Sequence, residues 1–497
     1  MYLAPHARPV QPHRLARSLR NALAGAALAA LAWGSHAATT GPGALDPIFG
    51  ADGGQDGTPN GVVGLSLGAG HERAEAVAVQ KDGKIVVVGS SSSTGKTRNI
   101  VIQRLNPNGS LDKSFGADRS QDGTPDGVVS IDMGDSSEEA RAVVIQPDGK
   151  IVIAGNSTAA SSNLIVARLH PNGSLDKSFG ADGGQDGTPD GVTAVSLGDG
   201  DEFANDLALD KTGHIVIVGT STSTGKSSNI AVARLKPNGS LDTRFGADGG
   251  QDGTPDGVVS LDLGDSSDEG RAVAIQPDGK IVIAGNSKAA SSNLIVARLN
   301  PNGSLDKSFG VDGGQDGTPD GVTAVSLGDG DEFAHDLALD KTGHIVIVGT
   351  STSTGKSSNI AIARLKPNGR LDARFGADGA KDGTPDGVVS LDLGDSSDEG
   401  RAVAIQPDGK IVIAGNSKAA SSNLVVARLR ANGSLDKSFG ADAGQDGTPD
   451  GVVQISLGQG DDVAKAIALQ TNGKIILVGD LVNGASIDAF VARILGR

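Results

Sequence analysis

A chain of 497 residues with 74 glycines, 2% aromatic residues and no cysteine has no disulfide framework, no thiolate metal site and no cysteine nucleophile. Burial and backbone pairing must hold it together. Its 43 basic residues against 59 acidic ones give a net charge of −16, which repels phosphate backbones and anionic lipid heads and argues against nucleic acid as a partner.

Residues 1–37 carry Arg8, Arg14, Arg17 and Arg20 and no acid, then an apolar run from Asn21 to Trp33 and the small-residue exit Ser35-His36-Ala37. This is the layout of a secretory signal peptide cleaved near Ala37, which places the mature chain in the periplasm, on the cell surface or outside the cell. An uncleaved anchor is the alternative, but spanning a bilayer takes roughly 20 apolar residues and this run has 13. No membrane span is expected in the mature chain. Cleavage moves the net charge from −16 to −20 and removes Trp33 and Tyr2, the only tryptophan and tyrosine. Stacking platforms of the kind used by sugar-binding and single-strand-binding proteins are then largely missing.

Residues 38–44 read as a short linker, and 45–497 as one repeat domain. Leu-Asp-x-x-Phe-Gly begins at Leu45, Leu111, Leu175, Leu241, Leu305, Leu371 and Leu435, at intervals of 66, 64, 66, 64, 66 and 64 residues. The alternation makes a pair of about 130 residues the duplicated unit, and 181–300 is nearly identical to 311–430. A unit of this length exceeds the repeats of helical solenoids and suits a four-stranded propeller blade with one long loop.

Unit four shows the strands: 257–263, 271–276, 280–284 and 293–299, all dominated by β-branched residues. Pro277-Asp278-Gly279 marks a hairpin between the second and third, and Pro301-Asn302-Gly303-Ser304 a turn after the fourth. No stretch of the mature chain carries a long apolar face at helical spacing. The expected fold is all-β, a seven-bladed β-propeller of four-stranded blades. The last unit ends at Phe490-Val-Ala-Arg-Ile494 with no motif after it, whereas the first begins with the motif and a strand at 61–67. If the strand after each motif is the outer strand of the preceding blade, the N-terminal strand joins the last blade and leaves no open edge. An open seven-unit solenoid is the alternative.

The succession Leu-Asp-x-x-Phe-Gly, Gln-Pro-Asp-Gly-Lys-Ile-Val-Ile-Ala-Gly and Val-Ala-Arg-Leu-x-Pro-Asn-Gly-Ser in 241–304 resembles the bacterial delta-60 repeat family, over all seven units. The hairpin is more loosely similar to the NHL type of blade. The resemblance implies a β-propeller in an exported bacterial protein and brings no activity with it. Units three and five depart from the pattern, with Lys211-Thr-Gly-His214 and Lys341-Thr-Gly-His344 in place of Pro-Asp-Gly-Lys.

Several residues invite a chemical reading. Arg104, Arg168, Arg234, Arg298, Arg364, Arg428 and Arg493 recur once per unit. They form either an anion-binding ring or, the reading preferred here, structural pairs with the motif aspartates such as Asp112 and Asp176. The motif phenylalanines, Phe49 to Phe439, read as plugs between blades. Ser-Thr-Gly-Lys-Ser at 223–227 and 353–357, with a variant at 93–97, has the wrong spacing for a phosphate loop and no helix after it, so it reads as a hairpin loop. His71, His170, His214, His335 and His344 lack the companions a zinc site needs.

The strongest chemical signal is the acidic loop after each Phe-Gly. In unit four, Asp248, Asp252 and Asp256 stand at relative positions 1, 5 and 9, with Gly253 at position 6. Calcium loops use such spacings to wrap oxygen ligands round the ion. The equivalents are Asp52 and Asp56; Asp118, Asp122 and Asp126; Asp182, Asp186 and Asp190; Asp312, Asp316 and Asp320; Asp378, Asp382 and Asp386; and Asp442, Asp446 and Asp450. Position 3 is Gly250 and position 12 is Val259, so completing a site takes backbone carbonyls, water or acids such as Asp262 or Asp265. A solvated turn and a weak calcium site both stay open, and calcium is the only cofactor expected.

Seven similar units present repeated surfaces more naturally than one asymmetric active site. The expectation is a monomeric, non-enzymatic scaffold or interaction module with a protein or cell-surface partner. The alternatives are a hydrolase or lyase using acids at the channel mouth and, third, a multivalent carbohydrate binder.

Overall fold

The computed structural model describes residues 41–50, 60–65, 70–92, 97–117, 126–132, 137–158, 162–180, 190–195, 200–222, 227–246, 256–263, 267–288, 292–310, 320–325, 330–352, 357–376, 386–393, 397–418, 422–440, 450–457, 460–484 and 486–497. The expected signal peptide and residues 38–40 lie outside them. Among the described residues there is no helix, and so none long and apolar enough to cross a membrane. The described residues hold 28 strands in seven antiparallel sheets of four, the expected seven-bladed propeller.

One blade shows the rules for all. Its inner strand, Ser267–Ile275, pairs with Ile281–Lys288, which pairs with Ser292–Leu299, which pairs with the short outer strand Val322–Val325. The first hairpin closes through Gln276 N–H to the Lys280 carbonyl (2.8 Å) and Gly279 N–H to the Gln276 carbonyl (2.9 Å). Gly279 has φ 87°, a left-handed conformation that favours glycine. Between the third strand and the outer one the chain makes the Pro-Asn-Gly-Ser turn and the Leu-Asp-x-x-Phe-Gly motif. That motif is bound back to its own blade by the Leu299–Leu305 bridge, and Gly321 N–H donates to the Phe309 carbonyl at 2.9 Å.

Neighbouring blades pack face to face. Each inner strand contacts the next and the last contacts the first, so the ring is continuous. Phe179 plugs one such interface, buried among Val152 and Val166 of its own blade and Leu207, Ile217 and Leu235 of the next. The Asn-Gly turn of the following blade presses on the same motif: a Cβ on Gly239 would stand 2.6 Å from the Gly180 nitrogen and 2.9 Å from the Phe179 ring.

The seventh blade is assembled from both ends of the chain. Asp461–Leu469, Ile475–Asn483 and Ser486–Ile494 form three strands, and Val62–Leu65 supplies the outer one, with Val62 opposite Ala492 and Leu65 opposite Ala489. Residues 41–44 are more than a linker. The Pro42 carbonyl accepts from Gly440 N–H at 2.9 Å, as the Asn432 carbonyl does from Gly376 N–H, so Pro42-Gly43 stands in for the missing Asn-Gly turn.

The reading of unit four placed its second strand at 271–276, whereas the inner strand starts at Ser267. The added residues, Ser267-Asp268-Glu269-Gly270, are polar because this strand borders the central channel, where the apolar alternation stops.

Candidate functional site

The recurring arginines are staples, not a ring of free cations. Arg104 Nε donates to Asp112 Oδ2 at 2.7 Å, Arg168 pairs with Asp176 at 2.8 Å, and the set closes with Arg493 on Asp46 at 2.7 Å. Each guanidinium lies over the motif phenylalanine, Arg104 4.5 Å from the Phe115 centroid and Arg493 4.4 Å from that of Phe49. Arg104 Nη1 also donates to the Pro171 carbonyl in the turn of the following blade. The hairpin lysine completes the cluster, Lys84 Nζ standing 3.0 Å from Asp112. Burial acts to raise the Asp112 pKa, but hydrogen bonds from Ser114 and Lys84 and the Arg104 charge outweigh it and hold the carboxyl well below the usual range. In the two variant units His214 takes the lysine's place, its Nε2 3.5 Å from Asp242 and its Nδ1 3.1 Å from Asp210, and His344 repeats the arrangement with Asp372 and Asp340.

The acidic loops lie almost wholly outside the described residues. Of the aspartates singled out in them, Asp126, Asp190, Asp256, Asp320, Asp386 and Asp450 are described, each just before an outer strand and partly or fully exposed. The loop ends are pinned together, Gly127 N–H donating to the Phe115 carbonyl at 2.8 Å. The serine-rich loops at 93–96, 223–226 and 353–356 also lie outside; strands paired antiparallel flank each of them.

The central channel holds the groups that sequence reasoning passed over. Every inner strand has a register shift that leaves one residue unpaired: Glu75, Arg141, Asn205, Arg271, His335, Arg401 and Lys465 in ring order. A bulge re-aims a side chain out of the pleat, and these seven line a cavity of about 300 Å³. Their signal in the sequence is a polar residue held between two small or acidic ones, as in Ala74-Glu75-Ala76 and Ala334-His335-Asp336, whose identity changes from blade to blade.

Within this ring Glu75 stands 3.5 Å from both Arg141 and Lys465, and Arg141 reaches Glu139 at 2.6 Å. Asn205 Nδ2 donates to the Gly270 carbonyl at 2.6 Å. Burial, then the charges of Arg401 and Arg271, push the His335 imidazole down to about 3, so it is neutral at ordinary pH. Asp206 and Asp336 border the same cavity and lock neighbouring blades, accepting from the Val273 and Val403 amides at 2.8 Å. Burial pushes both carboxyls up to about 7 against those hydrogen bonds.

A second ring escaped notice as well. Glu72, Glu138, Glu202, Asp268, Glu332, Asp398 and Asp462, at or beside the start of each inner strand, are all buried. Asp268, Asp398 and Asp462 accept from the Leu263, Leu393 and Leu457 amides at 2.8, 2.8 and 2.7 Å, fixing the chain as it enters the inner strand.

A family model described as a domain of unknown function (DUF5122) beta-propeller matches residues 80–115, 146–179, 211–245, 276–309, 341–375 and 406–439. Each match runs from the first hairpin of a blade to its motif phenylalanine. The seventh blade, split between the chain ends, offers no such continuous stretch. The chain matches no curated protein by sequence. Similar solved structures include virginiamycin B lyase from Staphylococcus aureus, 9% identical, covering 87% of this chain and 98% of that one at a TM-score of 0.45. Others are Drosophila Semaphorin 2a, 8% identical, with 86% and 74% covered at 0.44, and a PL25 ulvan lyase, 9% identical, with 86% and 94% covered at 0.42. Likeness at this level carries no argument about activity.

Proposed function

We propose that this chain is an exported, non-enzymatic propeller that serves as a scaffold or interaction module for a protein or cell-surface partner. One observation supports this above others: the same exposed turns stand out from one face, blade after blade. Asp82, Asp148, Asp278 and Asp408 at the hairpin tips and Lys113, Lys177, Lys307 and Lys437 in the motifs are all exposed. Adjacent tips touch around the ring, with Lys81 donating to the Pro147 carbonyl at 3.3 Å and Lys341 to that of Pro407 at 2.6 Å. A rigid ring that repeats one contact turns weak single encounters into avidity.

The test is sedimentation of the mature protein with washed envelopes of the producing bacterium. Lys113→Ala alone is expected to weaken binding by less than about twofold, and the four lysine changes together by about 100-fold or more. Abolition of binding by one lysine change would sink the multivalent reading. The second reading, a hydrolase or lyase using acids at the channel mouth, draws on the bulge ring, where the residue changes from blade to blade and Glu75 supplies a carboxylate. Turnover of a small glycoside able to enter the channel, lost in Glu75→Gln, would support it.

Calcium belongs to the same proposal. A loop with three carboxylates resembles weak extracellular sites with a dissociation constant of roughly 10⁻⁴ M. At about 1 mM calcium each occupied loop then adds about 1.4 kcal/mol. The melting temperature is expected to rise from chelator to millimolar calcium. Asp252→Asn should change the response little, and joint replacement of Asp56, Asp122, Asp186, Asp252, Asp316, Asp382 and Asp446 should remove it. Identical melting in both buffers would leave the loops as solvated turns.

A further inference from the structure

The bulge ring is electrically lopsided. On one arc Glu75 lies between Lys465 and Arg141, 3.5 Å from each, so those cations have an anion at their own level. On the opposite arc Arg271 and Arg401 flank His335 in ring order, and the bulge residues there include no carboxylate. Each of these arginines reaches along its own strand through Nη2, Arg271 to Glu269 and Arg401 to Glu399. The Nε atoms of both are enclosed and have no hydrogen-bond partner among the described residues. Nor does the His335 ring make a hydrogen bond among the described residues. Asp206 and Asp336 do not serve these donors, because their oxygens accept from the amides of Leu207 and Val273, and of Leu337 and Val403. The enclosed Nε atoms are beyond a ligand's reach, but the two arginine side chains are 37% and 33% exposed and line the cavity, so their Nη groups are the donors a ligand there would meet.

We propose that Arg271, His335 and Arg401 form a site, inside the channel, for one compact dianion of the phosphate or dicarboxylate class. Two guanidinium groups offer paired N–H donors to oxyanion oxygens from either side, a geometry that lysine cannot reproduce, and the imidazole between them adds one further polar contact. The cavity of about 300 Å³ is at the small end for molecular ligands, which excludes polymers. The duplication shows that the site is single. Stretches 181–300 and 311–430 differ at nine positions, and the one difference on an inner strand is Asn205 against His335. In the equivalent arc Asn205 is tied to the Gly270 carbonyl and Arg141 to Glu75 and Glu139, so that position is closed. This inference stands apart from the outward-face reading and survives its failure.

Calorimetric titration of the mature chain tests it, with inorganic phosphate and succinate as probes and chloride holding the ionic strength constant. One site per chain is expected, and which probe binds assigns the class. Arg271→Gln and Arg401→Gln should each weaken binding about tenfold or more, the scale of a lost charged hydrogen-bonding pair. Arg141→Gln, on the compensated arc, should stay within about twofold of the parent. If a glutamine variant fails to fold, Arg401→Lys keeps the charge and loses the fork, and should still weaken binding by more than about threefold. Saturable binding of neither probe would overturn the site. So would an Arg141→Gln loss equal to that of Arg401→Gln, since a diffuse field would then explain the affinity.

Discussion

Deletion of residues 38–70 is expected to destabilise the protein and make it aggregate. The deletion removes the outer strand Val62–Leu65, the buried plug Phe49 and the carboxylate of Asp46, which pairs with buried Arg493 at 2.7 Å and with Lys474 at 2.6 Å. Loss of a buried phenylalanine costs about 3–5 kcal/mol, and stripping a buried arginine of its anion costs about 3–5 kcal/mol more. Together these approach the whole stability of an ordinary fold, about 5–15 kcal/mol. The strand Ser486–Ile494 would also be left as an unpaired edge, a template for pairing with other copies. Size-exclusion chromatography with light scattering and a thermal melt read both effects. A synthetic peptide of residues 41–70 added in trans should bind the truncated ring and restore part of its stability by strand addition. A truncated protein that keeps the parent's size and melting temperature would show that closure does not depend on this strand.

Stability is expected to fall as pH rises from about 4 to 7. Asp206 and Asp336 have folded-state values of about 7 against an ordinary 3.8. The native state therefore holds protons that the unfolded chain releases. Their contribution is complete below pH 3.8 and is lost as pH climbs through 7. Each is worth about 4 kcal/mol as an upper figure, since both carboxyls border the open channel. Asp462 and Asp480, raised to about 6 by burial, act in the same direction. His335 acts against them: its value is lowered to about 3, so its contribution is present above 6.5 and is lost as pH falls. Between pH 4 and 6.5 it offsets about 3 kcal/mol. The motif aspartates have lowered values, and theirs are lost only below 3.8. Net decline across the window is expected to be on the order of 10 kcal/mol as an upper figure. Denaturant melts at a series of pH values should show the slope. The double change Asp206→Asn with Asp336→Asn should flatten it whatever its absolute stability, and His335→Asn should steepen it. A parent profile that rises from pH 4 to 7 would refute the assignment.

The blades were legible in the sequence because the motif recurs at fixed intervals and three of the four strands in each blade keep a β-rich pattern. Closure was legible because the first unit begins with the element that the last one lacks. The inner strand was not. Ser267 to Gly270 look like a loop since the channel edge needs no apolar face, Asp268 is buried through a hydrogen bond to the Leu263 amide, and the bulge at Arg271 breaks the period of two. The arginine staples could be guessed, because a buried guanidinium needs an anion and the motif supplies one aspartate per arginine. In the acidic loops the carboxylate spacing is visible, but the missing ligands at positions 3 and 12 would have to come from parts of the chain that spacing does not identify.

The closure also sets an order of events. Asp46 and Arg493 are 447 positions apart, so the strand at Val62–Leu65 finds its partner only after the last blade has been made. Every other blade gathers three of its strands from one short stretch and its fourth from just beyond. It can therefore form as soon as that stretch is free. The ring as a whole has to wait for Ile494, and until then an apolar strand and a buried-type aspartate at the front of the chain stay exposed. The near-identity of 181–300 and 311–430 adds a hazard during that wait, since either stretch fits the other's place. Synthesis of the last strand is thus a precondition for ring closure, and factors that shield residues 41–65 until then would act on yield rather than on final stability.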